Sequence, residues 1–217
     1  MVQTLNAQAR QALASYQDGV DWSLRPLNPR MAGQKGVSQG LYQAVNRRLR
    51  GQAEPDRIWN SPQGRKLVTK TIKGVESAMK TSTIPEDTIA FRGIRSSGDR
   101  NGVFAAGYKA FKQNVYDQWQ VGQTYGPGSG MTDKAFLSTT LDKSVAEKRF
   151  VKGPQPGIIL EYRIPKGTRG VSMNANNPAS GYSYTGELLL DKDLSYKVVG
   201  KYKNPQTGNL HAVLEIV

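Results

Sequence analysis

The sequence predicts an α+β fold, on three observations. Through about residue 87, apolar residues recur at helical spacing, with capping and breaker residues at the expected ends. From residue 88 onward the texture changes to short alternating or β-branched runs separated by glycine, proline, asparagine and aspartate. The two textures are segregated along the chain, which argues against alternating βαβ units. With 217 residues the chain is long enough for one domain with a proper core. The expected organisation is a single unit over 1–217, with a mainly helical part at 1–87 and a mainly β part at 88–217.

Taken in order, residues 5–16 carry apolar positions on one helical face and meet a breaker at Gln17-Asp18-Gly19. Residues 21–36 contain Pro26 and Pro29 and predict a short helix plus loop. Ser38 is placed to cap a helix over 39–49 that Gly51 ends. Ser61-Pro62 starts a helix reaching about Met79, with Leu67, Val68, Ile72, Val75 and Met79 on one face. Strands are predicted at 88–93, 135–140, 158–165, 170–173, 187–190, 195–203 and 210–217. Helices are predicted at 105–118 and 143–150, and loops at 98–102, 122–130 and 152–157.

Composition removes whole classes of chemistry. There is no cysteine, so disulfides, thiolate metal sites and thiol nucleophiles are excluded. The single histidine, His211, sits in a strand-like context and gives serine triads and zinc hydrolases nothing to build on; no metal is expected. No apolar run approaches the roughly 18 residues of a membrane span, so no membrane insertion is expected. The N-terminus has neither a basic start nor an apolar core, and no signal peptide is read there. The formal net charge of +13 is spread over both halves of the chain and favours polyanionic partners such as nucleic acid, nucleotides, acidic protein surfaces or anionic membranes.

Three predicted strands each deliver one unusual polar residue: Arg92 in Phe-Arg-Gly, Ser138 in Phe-Leu-Ser-Thr-Thr, and Glu187 in Thr-Gly-Glu-Leu-Leu-Leu. On neighbouring strands they would form one cleft. Arginine can clamp a phosphate bidentately. Serine can orient a carboxylate, and a carboxylate can hold a ribose hydroxyl and stabilise positive charge at an anomeric carbon. Glu187 would stand on a rigid strand behind an adaptable loop carrying Tyr182 and Tyr184.

In these segments the chain resembles the Arg-Ser-Glu class of mono-ADP-ribosyltransferases, the fold of many bacterial toxins and some phage enzymes. The matching stretches are Ile89-Ala-Phe-Arg-Gly-Ile94, Ala135-Phe-Leu-Ser-Thr-Thr-Leu141 and Tyr182-Ser-Tyr-Thr-Gly-Glu-Leu-Leu-Leu190. Ile158-Ile-Leu-Glu-Tyr-Arg-Ile-Pro-Lys-Gly167 is similar to the strand between the last two. Leu41-Tyr-Gln-Ala-Val-Asn-Arg-Arg-Leu-Arg-Gly51 is similar to the family helix that ends in an asparagine and an arginine. Tyr42, Asn46 and Arg50 are four apart, so one helix face presents them together. The resemblance spans roughly residues 38–200, in the family's order.

What the resemblance implies is a helical part packed on a two-sheet β core around an NAD cleft. Arg92 would hold NAD phosphate, and the Gly93 backbone would meet the nicotinamide amide. Arg50, with Asn46 beside it, would contact the diphosphate. Ser138 would orient Glu187, the catalytic carboxylate, and Phe150 would stack on nicotinamide. Tyr182 and Thr185 would face the acceptor. NAD would be consumed as co-substrate and no metal would be needed.

The chain departs from the family at Thr185, where members carry glutamate or glutamine. That departure leaves the acceptor open; the first expectation is a macromolecule, a protein side chain first and nucleic acid second. An NAD glycohydrolase using water is the alternative enzyme, and a non-catalytic binding domain the alternative outside enzymes. The resemblance fits a monomeric toxin, effector or phage protein, secreted or delivered into a target cell, and leaves room for an immunity protein as a further partner.

Overall fold

The computed structural model describes residues 5, 7–18, 41–53, 57–96, 103–151, 156–173 and 186–217, with 103–106 and 149–150 described by their backbone alone. The helices are α1 (Ala7–Asp18), α2 (Leu41–Leu49), α3 (Arg57–Asn60), α4 (Pro62–Thr81), α5 (Val103–Phe111) and α6 (Lys143–Val145). The strands are β1 (Thr88–Ile94), β2 (Thr124–Tyr125), β3 (Leu137–Thr140), β4 (Ile158–Ile164), β5 (Gly170–Ser172), β6 (Glu187–Leu190), β7 (Tyr196–Lys203) and β8 (Leu210–Ile216). The predicted strand and helix types hold wherever these residues are described. The stretch at 21–36, Ser38 and the loop at 98–102 lie outside them, as does most of the loop at 152–157.

Helix α4 forms as its sequence dictates. Ser61 caps it, its Oγ accepting the Gly64 N–H at 3.0 Å, and Pro62 fills the first turn. Leu67, Val68, Val75 and Met79 are buried, with Ile72 partly so. Gly74 lets α1 approach: a Cβ there would stand 2.3 Å from the Ala12 Cβ. That contact seats α1, and with it Tyr16, against the rest of the helical layer. The predicted helices at 105–118 and 143–150 each begin as α-helix and finish as a π-helical turn, over Lys112–Tyr116 and Ala146–Phe150.

All eight strands hydrogen-bond into one mixed sheet, in the order β2-β7-β8-β4-β1-β3-β6-β5. Only the β4–β8 pair is parallel. Where two sheets are expected, the structure corrects the expectation. Two halves exist, but they are joined through β1 and β3 at a single registered pair, Phe91 with Thr140. Thr124-Tyr125, expected inside a glycine-rich loop, instead adds a two-residue edge strand to β7.

The core falls into two clusters, the second reaching from the longer strands into β3 and β6 through Leu137, Leu188 and Leu190. Helices α1, α2 and α4 pack on the short-stranded half through Leu13, Tyr16, Leu41, Val45, Phe136, Met173 and Leu189. The longer strands bury Ile158, Leu160, Tyr162, Ile164, Val198 and Leu214 with Trp119. The joint between the halves is where Arg92, Ser138 and Glu187 lie, on the three consecutive strands β1, β3 and β6.

Candidate active site

Glu187 is the first residue of β6, and Ser138 the second of β3. Their antiparallel register pairs Ser138 with Leu189 and Thr140 with Glu187. Ser138 and Glu187 are thus diagonal neighbours on one face, close enough for side chains to meet. The Ser138 hydroxyl donates to Glu187 Oε1 at 2.6 Å, a charge-assisted bond that fixes the carboxylate. The backbone on both sides is braced. Thr139 Oγ1 donates to the Leu188 carbonyl at 2.8 Å, and the Leu141 N–H to the Gly186 carbonyl at 3.1 Å. Gly186 turns into the strand with φ +56°, a conformation that favours glycine.

The second group of residues is cationic. Arg50 stands at the end of α2, fixed by the helix terminus. The Gly51 N–H reaches the Arg48 carbonyl and the Gln52 N–H the Arg47 carbonyl, with Gly51 at φ +69°, a Schellman ending. From there Arg50 donates Nε–H to Asp133 Oδ1 at 2.8 Å and Nη2–H to Asp133 Oδ2 at 2.6 Å, a fork-to-fork pair. Arg92 Nη2 lies 3.9 Å from the same Oδ2. Arg92 Nη1 is buried and has no hydrogen-bond partner among the described residues. Burial pushes the Asp133 carboxyl up, but the Arg50 hydrogen bonds, the charges of Arg92 and Arg50 and the Ala135 N–H together hold it below its ordinary value. Burial alone would lower the Arg92 guanidinium; Tyr42 and Asp133 outweigh it, and Arg92 stays a cation.

The wall behind both groups comes from α1 and α2. Tyr16 is fully buried, packs edge-on against Tyr42 and Phe136, and donates its hydroxyl to Asn46 Oδ1 at 3.2 Å. Burial, then Tyr42 and Glu187, hold its phenol well above the usual range, so it remains a donor throughout the physiological range. The fields of Glu187 and Arg92 both reach this hydroxyl, with opposite signs, which ties the acidic and basic groups to one neighbourhood.

Of the residues singled out in the sequence, Arg92, Ser138 and Glu187 stand on adjoining strands. Gly93 follows Arg92 on β1 and pairs with Ile159. Arg50 joins Arg92 through Asp133. Asn46 is buried, 2% exposed, with its carbonyl oxygen facing Tyr16. Phe150 ends the π-helical turn after α6, and its side chain lies outside the described residues, as do Tyr182 and Thr185. Asp133 and Tyr16 were not singled out. Asp133 carried one faint signal, an acid in Thr-Asp-Lys just ahead of the Ser138 strand in a strongly basic chain; Tyr16 looked like any core aromatic.

Chemically, the arrangement suits an anionic nucleotide with a ribose. Two guanidinium groups retain unspent donors for a diphosphate, and a fixed carboxylate beside a hydroxyl suits a sugar whose glycosidic bond is being broken.

The chain is similar to known proteins. The curated relative NAD(+)--arginine ADP-ribosyltransferase EFV of Enterococcus faecalis is 24% identical over 188 residues, 85% of this chain. This chain spans about a third of that relative's length (32%). Exoenzyme S of Pseudomonas aeruginosa, solved with human 14-3-3 protein beta and carba-NAD, superposes with a TM-score of 0.53 at 22% identity. That superposition covers 95% of this chain and 88% of the other. C3stau2 of S. aureus, solved with NAD, gives 0.54 at 14% identity over 99% of this chain and 88% of the other. These likenesses show the fold. Residues 37–217 match the family model described as ADP-ribosyltransferase exoenzyme, and the chain therefore belongs to that family.

Proposed function

We propose that this chain is a mono-ADP-ribosyltransferase that moves ADP-ribose from NAD to a protein side chain and releases nicotinamide. The observation that carries the proposal is the 2.6 Å bond from Ser138 to Glu187, held on rigid strands at the joint where Arg92 also stands. Arg50 and Arg92 bind the diphosphate, and the Gly93 backbone meets the nicotinamide amide. Asn46 holds α2 in register behind them through Tyr16. Glu187, oriented by Ser138, accepts a hydrogen bond from the nicotinamide ribose and offsets the positive charge that develops as the glycosidic bond breaks. Phe150 supplies a stacking surface, and Tyr182 and Thr185 face the acceptor.

The relative's name specifies arginine, which makes an arginine side chain the first acceptor to test. Thr185 favours a second reading, with water as acceptor, because its side chain is too short to guide a guanidinium directly. Delivery into a target cell as a toxin, effector or phage protein, action as a monomer and an immunity partner belong to the same proposal. Among the described residues, no helix is long and apolar enough to cross a membrane.

The test is to incubate the chain with NAD labelled in the adenylate and with cell lysate treated by nuclease or protease, beside Glu187→Ala. Label on protein that survives nuclease and is absent with the variant supports the proposal. Label lost to nuclease moves the acceptor to nucleic acid. Nicotinamide release without label selects water, and no NAD turnover in any lysate sinks the enzymatic reading.

A further inference from the structure

Asp133 makes the densest set of polar contacts around the two arginines. We propose that Asp133 is a positioning residue of the NAD clamp: a fixed carboxylate that holds Arg50 and Arg92 side by side, so that their remaining N–H groups meet one anion together. This rests on the proposed NAD-dependent function and names a determinant of substrate binding within it.

Three observations carry it. First, Asp133 is itself held, since its Oδ1 accepts the Ala135 N–H at 3.0 Å in a local side-chain turn. A carboxylate locked to its own backbone behaves as a strut. A latch that the incoming diphosphate must displace would lack this bond. Second, the donors are divided. Arg50 spends its Nε edge on Asp133, at 2.8 and 2.6 Å, which leaves Nη1 and one hydrogen of Nη2. Arg92 approaches Asp133 only through Nη2, at 3.9 Å, and its Nη1 is buried with no partner among the described residues. A buried guanidinium nitrogen without an acceptor is costly, and a ligand oxygen is what it lacks. Third, two guanidinium groups brought to one carboxylate keep one net positive charge for the ligand while their mutual repulsion is offset. Without Asp133, nothing among the described residues forms an ion pair with Arg50 or Arg92, and the two cations would swing apart.

The position also explains why the carboxylate stands where it does in the chain. Asp133 lies just ahead of β3, so the turn that presents it leads directly into the strand bearing Ser138. The strut thereby couples the end of α2, carrying Arg50, to the sheet joint carrying Arg92 and Glu187.

The test uses Asp133→Asn, which keeps the side-chain turn and the shape but removes the charge, in the full chain. Steady-state NAD consumption, NAD affinity by calorimetry and the thermal midpoint are compared with wild type. The expected result is a rise in KM and Kd for NAD of about tenfold, with kcat within about twofold and a modestly lower midpoint, as for loss of a charge-assisted pair remote from the breaking bond. Asp133→Ser, whose hydroxyl can also close the turn, serves if the asparagine variant folds poorly, and should show the same rise. Asp133→Glu, which keeps the charge on a longer arm, should recover part of the affinity. A fall in KM for Asp133→Asn would make the residue a competing latch and overturn the inference; an unchanged KM and Kd would do the same. Wild type that turns NAD over beside an unaffected variant defeats this inference alone. Wild type that neither binds nor consumes NAD defeats the proposed function with it.

Discussion

The site is built from two unlike arms. The carboxylate arm is local to two strands: Ser138 and Glu187 are diagonal neighbours in one antiparallel ladder, and one 2.6 Å bond sets their geometry. The arginine arm is assembled from a helix end, a turn and a strand, with Arg50, Asp133 and Arg92 brought together only by tertiary packing. The first arm is rigid because backbone hydrogen bonds fix it on both sides. The second is rigid because charges are matched. A transferase needs both: the carboxylate must sit within a fraction of an ångström of the reacting carbon, whereas the diphosphate tolerates a charged cradle of less exact placement. The proposed function thus assigns chemistry to the ladder and binding to the ion network.

Removing charge from the ladder should break this division most sharply. Glu187→Gln keeps the shape and leaves an acceptor for Ser138, but removes the negative charge opposite the developing cation. We expect kcat for NAD consumption to fall about a thousandfold, with KM changed less than about threefold. A matching rise in KM would mean that Glu187 binds ground-state substrate, and the division would fail. Ser138→Ala is the next step down. It removes one charge-assisted bond and leaves the carboxylate free to turn, so kcat should fall about ten- to a hundredfold with little change in KM. A Ser138→Ala enzyme as active as wild type would show that the strand alone orients Glu187.

The two arms also differ in how much of them could be read from sequence. Glu187 opens the apolar run Leu188-Leu-Leu190, and Ser138 stands in Phe-Leu-Ser-Thr-Thr. A polar side chain at such a position conflicts with its surroundings, and the conflict is the signal. Strand-forming residue types bounded by turn residues mark the strands, which is why β1, β4, β6, β7 and β8 fall within a residue of their expected bounds. Arg50 was legible only through the resemblance of its helix to the family's, with the four-residue spacing from Tyr42 and Asn46 in support. Asp133 was not, because a lone acid in a turn has no periodicity to violate and its role exists only once α2 and β1 have packed. Tyr16 was hidden for the opposite reason: an aromatic on the apolar face of a helix satisfies every expectation of a core residue, and its hydroxyl partner, Asn46, is 30 positions away. The single-pair joint between the two halves of the sheet was equally invisible, since a pairing between strands distant in the chain leaves no periodicity to read.

Acid should separate the arms by stability. The native Asp133 carboxyl is held below its ordinary value, against about 3.9 for an unfolded aspartate. The unfolded chain therefore binds the proton first on acidification. The stabilisation from this group is complete above the unfolded value and is lost as pH falls through the depressed native value. In urea titrations from neutral pH downward, wild type should lose more stability below about pH 4 than Asp133→Asn, whose amide does not titrate. Two parallel curves would show that the arginine arm contributes no acid-linked stability, and the matched-charge account of its rigidity would have to be replaced.

The smallest expected effect tests the wall that the two arms share. Tyr16 is fully buried, and its hydroxyl is the donor to Asn46 Oδ1. Tyr16→Phe preserves the edge-on contacts with Tyr42 and Phe136, and so keeps the packing while leaving a buried acceptor without that donor. The cost should be about 1–2 kcal/mol, the usual penalty for orphaning a buried polar partner, visible as a lower urea midpoint at unchanged m-value. Neither arm takes a direct hydrogen bond from Tyr16, so kcat and KM for NAD should stay within about twofold of wild type at a temperature where the variant is folded. A stability loss without a kinetic one would show that α1 supports the site by packing alone. A selective fall in kcat would instead assign the Tyr16 hydroxyl to the Glu187 arm through the field it shares with that carboxylate, and the boundary between chemistry and scaffold would move one layer outward.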